Sequence, residues 1–131
     1  MIDKETSEWL IKASSDLKIV EHELNLPEEE IVKDAVCFHC QQAVEKYLKA
    51  FLIYHKVKPK RTHDIGHLLD QCANIDEDFT NIEVKELSIF GVDIRYPDDF
   101  YIPTMEEVKF YYNLAKQIKI SVNSKLETKE Y

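Results

Sequence analysis

Apolar residues recur through the first two dozen positions at spacings of four and three. Trp9, Ala13, Leu17, Val20 and Leu24 fall on one face of a helix. Asp3 stands where an N-cap belongs, so the pattern predicts a first helix from Asp3 to Leu24. Asn25-Leu26-Pro27 breaks it. Pro27 suits the first turn of a second helix, and Glu28, Glu29 and Glu30 favour its electropositive end. From there the pattern continues without Gly or Pro to Val57. Val36, Cys40, Ala43, Tyr47, Ala50 and Tyr54 make a stripe that Phe38, Leu48, Phe51 and Leu52 widen. A helix of roughly 30 residues would span about 45 Å. So wide an apolar face makes it the expected central strut of a bundle.

The rest of the chain punctuates more often. Lys56-Val57-Lys58-Pro59-Lys60-Arg61 reads as a basic loop closed by proline. Thr62 is the expected cap of a short third helix from His63 to Ala73, with Ile65, Leu68, Leu69 and Cys72 turned inward. A fourth helix is expected from Phe79 to Val92, carrying Phe79, Ile82, Leu87 and Phe90, with Gly91 loosening its last turn. Two prolines then fix the irregular stretch from Arg95 to Pro103. Thr104-Met105-Glu106-Glu107 is a capping box, and Val108, Tyr111, Ala115, Ile118 and Val122 continue the seam of a last helix. The prediction is an all-α, up-and-down bundle of four to five helices in one domain over 1–126, followed by a polar tail over 127–131.

Composition narrows the class further. Two glycines and four prolines in 131 residues leave too little turn chemistry for a sheet-rich fold. The apolar runs fall far short of the roughly 20 residues that cross a bilayer. The first residues lack a basic, then apolar, leader, so no signal peptide is expected. Three cysteines without such a leader point to a reducing compartment, and the expected location is cytoplasmic. Seventeen basic against 25 acidic residues give a net charge of −8. That balance argues against a general nucleic-acid coat, yet leaves room for a local anion site.

Few residues carry chemistry. Cys37-Phe38-His39-Cys40 has the look of a metal motif, but Cys72 is the one remaining cysteine and packing is the expected role. No metal and no cofactor are expected. His39, Gln42, Lys46 and Lys49 share one face of the second helix, with Glu45 beside them. This polar stripe is a candidate ligand surface; its alternative is a solvated face. Arg95, held by the following Tyr96-Pro97, can clamp phosphate or carboxylate through its fork of donors, or pair with Asp93, Asp98 or Asp99. Lys58, Lys60 and Arg61, with His63 and Asp64 at the third-helix start, form a further candidate anion site.

Three stretches together resemble the HEPN domain (higher eukaryotes and prokaryotes nucleotide-binding). They are the run from Cys37 to Ala50, Arg61-Thr62-His63-Asp64-Ile65, and Arg95-Tyr96-Pro97-Asp98. The resemblance implies a helical bundle that binds nucleotide, commonly as a homodimer. It also implies pairing with a minimal nucleotidyltransferase, as a toxin–antitoxin pair or as its substrate-binding subunit. Many such domains are metal-independent ribonucleases in which an arginine, followed a few residues later by a histidine, acts near the last loop. Here the positions after Arg95 hold Phe100, Tyr101 and Ile102, and no histidine follows His67. Arg61 and His67 do have the spacing, with five residues between them, but at the junction before the third helix. Arg61, His63 and His67 are therefore the catalytic candidates for a ribonuclease, and a binding module is the leading expectation. Tyr96, Phe100, Tyr101, Tyr111 and Tyr112 are expected to supply a dimer face on the fourth and fifth helices.

Overall fold

Helix α1 spans Lys4–Leu24, and its N-cap is the one read from the sequence. The Asp3 carboxylate accepts the Thr6 N–H at 2.8 Å, satisfying one of the helix's free first-turn donors. The computed structural model describes residues 2–91 and 101–131; Arg95, Tyr96 and Phe100 lie outside them. Leu10, Ala13, Leu17 and Val20 of α1 are buried, while Trp9 and Leu24 reach the core with only part of their surface.

Helix α2 spans Lys33–Tyr54, 22 residues, against 21 for α1. It is shorter than the periodicity predicts. Glu28–Glu30 form a separate 3-10 turn instead of the first turn of α2, and Ile31 and Val32 are extended. Val32 has no side-chain oxygen with which to cap the helix. The Glu23 carboxylate of α1 takes the Val32 N–H at 2.8 Å instead. At the far end Lys56 turns left-handed, at φ 61°. Lys56 and Val57 then donate to the Ile53 and Leu52 carbonyls at 3.0 and 2.9 Å, a reversal that stops the helix. Glu23 meets the start of α2 and Asp3 meets Lys56 just past its end, so α1 and α2 run antiparallel.

Helix α3 spans Ile65–Ala73. Asp64, not Thr62, is its N-cap: Asp64 accepts the Gly66 N–H at 2.9 Å, and Thr62 accepts the Asp64 N–H. The expected fourth helix is replaced by two 3-10 turns, Glu77–Phe79 and Leu87–Gly91. Asn81 and Lys85 between them have positive φ, 65° and 47°, which interrupts any right-handed helix. Leu87 and Phe90 are three residues apart, and that spacing fits a 3-10 turn as well as it fits an α-helix. Both are buried.

Helix α4 spans Met105–Lys125, and both hydrogen bonds of its capping box form. Glu21 near the end of α1 meets Tyr112 early in α4, so α4 runs antiparallel to α1. Among the described residues the fold is all-α, with four α-helices. Helix α2 is the central one, packed against α1, α3 and α4. Beyond α4, Tyr131 folds back on the core, where its carbonyl accepts from the Tyr47 hydroxyl. Tyr111 is buried and Tyr112 bonds Glu21. Tyr111 therefore serves the core and not the expected dimer face, while Tyr112 stays half-exposed beside Glu21.

Candidate functional site

Two carboxylates on the inner face of the α1–α2–α3 junction organise the polar residues. Asp16 of α1 is 7% exposed and Glu45 of α2 is 5% exposed. A bare carboxylate at that depth would cost several kcal/mol, and each is compensated in the same way. Asp16 takes His39 Nδ1 on one oxygen at 2.8 Å and Lys46 Nζ on the other at 2.6 Å. Glu45 takes His63 Nδ1 on one oxygen at 3.0 Å and Lys49 Nζ on the other at 2.9 Å. A carboxylate oxygen accepts, so Nδ1 is the donor in both imidazoles. Nε2 of each ring makes no hydrogen bond among the described residues.

The second cluster is tied down further. Gln41, fully buried, donates to Glu45 Oε1 at 3.0 Å and to the His63 carbonyl at 3.3 Å, and accepts from Gln42 at 2.7 Å. Burial alone would push the Glu45 carboxyl up. Hydrogen bonds from Lys49, His63 and Gln41 outweigh that and hold it below its ordinary range. Gly91 packs directly on this amide: a Cβ there would lie 2.9 Å from Gln41 Cδ and Nε2. A side chain at residue 91 would therefore push the Gln41 amide aside where the last 3-10 turn docks on the network.

The stripe on α2 is thus neither a plain solvated face nor a row of free ligand groups. His39 and Lys46 serve Asp16, Lys49 serves Glu45, and Gln42 serves Gln41. His63 joins the Glu45 cluster yet keeps two-thirds of its side chain exposed. Asp64 is engaged as the α3 cap and also lies 3.8 Å from His67 Nε2. Lys58, Lys60 and Arg61 are exposed and make no ion pair among the described residues. Their loop is held by Gln71 of α3, which accepts the Lys60 N–H at 3.0 Å and donates to the Lys58 carbonyl at 3.1 Å.

Asp16, Gln41, Gln71 and Gly91 carry this site and were not among the sequence candidates. Asp16 and Gln41 did leave a signal, since each interrupts an apolar helical face, between Ala13 and Leu17 and between Cys40 and Val44. Cys37, Cys40 and Cys72 are buried in the core. Burial pushes the Cys37 and Cys72 thiols up to about 12, which leaves them inert. Among the described residues, no helix is long and apolar enough to cross a membrane.

No curated protein and no solved structure is significantly similar to this chain. The bundle with its polar strut does match a known pattern of sequence. The family model for the HEPN domain covers residues 6–125, nearly the whole chain, and the chain belongs to that family.

Proposed function

We propose that this HEPN domain is a nucleotide-binding module whose phosphate site is the junction between α2 and α3. The observation that supports this most is the contrast in cation use. The lysines of the α2 stripe are neutralised by buried carboxylates, whereas Lys58, Lys60 and Arg61 stand exposed on a loop fixed by Gln71. Cations held in place beforehand bind an anion without the cost of ordering the loop. Arg61 supplies a planar fork for phosphate, and His63, its ring oriented by Glu45, presents Nε2, a donor in the imidazolium form. Arg95 is a further proposed phosphate contact. A minimal nucleotidyltransferase is the proposed protein partner, in a toxin–antitoxin type pair, with the domain acting as a homodimer. Calorimetry with ATP and GTP tests the ligand. Binding that Arg61→Ala weakens at least tenfold supports the reading, and silence with both nucleotides removes it.

One observation favours a second reading, a metal-independent ribonuclease. His63 has the carboxylate-bound Nδ1 and unengaged Nε2 of a general acid–base histidine, two residues from Arg61, which would stabilise the charged transition state. Incubation with structured RNA decides it. Cleavage abolished by His63→Ala or His67→Ala carries the enzyme reading; no cleavage, or equal cleavage by both variants, ends it.

A further inference from the structure

Trp9 is the chain's single tryptophan. It sits on α1 only partly buried, with Lys49 Nζ 5.5 Å from its ring centre. Lys49 pairs with Glu45, and Glu45 holds His63. A run of contacts therefore leads from an aromatic ring on α1, through the buried Glu45, to His63, two residues from Arg61. Beside the ring lies a groove of about 170 Å³ walled by Glu5, Glu8, Trp9 and Lys12. It has the scale of one planar ring system, below the roughly 300–1,000 Å³ of a pocket for a whole drug-sized ligand. Glu5, Glu8 and Lys12 share one face of α1 with Trp9 and make no ion pair among the described residues.

We propose that Trp9 is the stacking platform for a nucleobase whose phosphates lie on the basic junction. This inference deepens the nucleotide-binding reading and rests on it. Every base has a π-face, and stacking on an aromatic side chain is a main source of affinity for single nucleotides and single strands. Glu5 and Glu8 accept hydrogen bonds, so they suit the exocyclic amine of a base and repel a phosphate. Lys58, Lys60 and Arg61 do the reverse. The charge gradient fixes the ligand's direction, base over α1 and phosphate toward α3. An inorganic anion would face two carboxylates in the groove, and a hydrocarbon would leave them unpaired.

A free nucleotide and a nucleotide of single-stranded RNA share this chemistry, and the sole tryptophan reports on either. Emission from the whole chain is followed during titration with ATP, with an oligoadenylate and with tripolyphosphate, which carries the charge without a base. Quenching by ATP, with tripolyphosphate binding but leaving emission unchanged, is the expected result; quenching by the oligoadenylate alone assigns the site to RNA. Trp9→Leu should weaken the quenching ligand about tenfold or more in calorimetry and leave tripolyphosphate affinity as it was. Nucleotide binding without a change in emission, equal quenching by tripolyphosphate, or undiminished affinity in Trp9→Leu overturns the stacking role and leaves the nucleotide reading standing. Absence of binding by all three overturns both. The wild-type titration needs no variant to fold.

Discussion

Glu45 is the residue on which the site turns, because one buried carboxylate fixes a lysine, a histidine and a glutamine from three parts of the chain. Its pKa lies below the ordinary 4.5 despite burial, so its ionised form favours folding. That contribution is present above the unfolded pKa and is lost as pH falls through the lower folded one. Glu45→Gln should lower stability by about 1–3 kcal/mol at pH 7, and the gap to wild type should close as acid protonates the wild-type carboxyl. Denaturant melts at pH 7 and at pH 3 measure both numbers; a gap independent of pH contradicts the assignment. Gly91→Ala makes a second residue-scale case. The added methyl must shift the Gln41 amide, which makes three hydrogen bonds, so a loss of about 1–3 kcal/mol should come with a shifted His63 resonance. A change at residue 91 that leaves His63 untouched would show that Gly91 does not position the network. Sequence pattern located His63, Lys46, Lys49 and Glu45, but not Asp16 or Gln41. Asp16 and Gln41 lie on apolar faces, where periodicity alone assigns packing.

Elements were legible in proportion to the strength of their end signals. The capping box announced α4, and both of its hydrogen bonds are present. Thr104→Ala should cost about 0.5–2 kcal/mol, read by urea denaturation; no loss would mean that Glu107 holds the turn alone. Asp3 announced α1 equally well. Helix α2 was overextended because Glu28–Glu30 satisfy the charge preference of a helix N-terminus while forming only a 3-10 turn. The fourth helix failed for a different reason. Spacing of three, as in Leu87 and Phe90, cannot distinguish an α-helix from a 3-10 turn, and positive φ at Asn81 and Lys85 carried no glycine to mark it. Lys125 secures this irregular limb, with Asp76 and Asp78 at 2.8 and 2.7 Å.

At the scale of the whole molecule, Lys58, Lys60 and Arg61 gather three unpaired basic groups on one fixed loop, which is how a chain of net charge −8 can hold a phosphate. Aromatic surplus was the sequence's argument for a dimer, and the core absorbs much of it through Tyr47 and Tyr111. Tyr101 and its neighbour Ile102 are exposed, at 43% and 57%, and this apolar pair is the proposed centre of a twofold contact. Sedimentation at micromolar concentration should show a dimer that Ile102→Lys dissociates; a wild-type monomer contradicts it. Arg95→Lys should weaken nucleotide binding by about 1–3 kcal/mol without unfolding the bundle, as seen by calorimetry beside a thermal melt. The most direct test of the phosphate site is a nitrogen-15 NMR titration of the histidine and arginine side chains with ATP. His63 and Arg61 should shift with a common saturation curve while His39, held on Asp16, stays in place. Shifts confined to His39, or none at saturating ATP, would contradict the account.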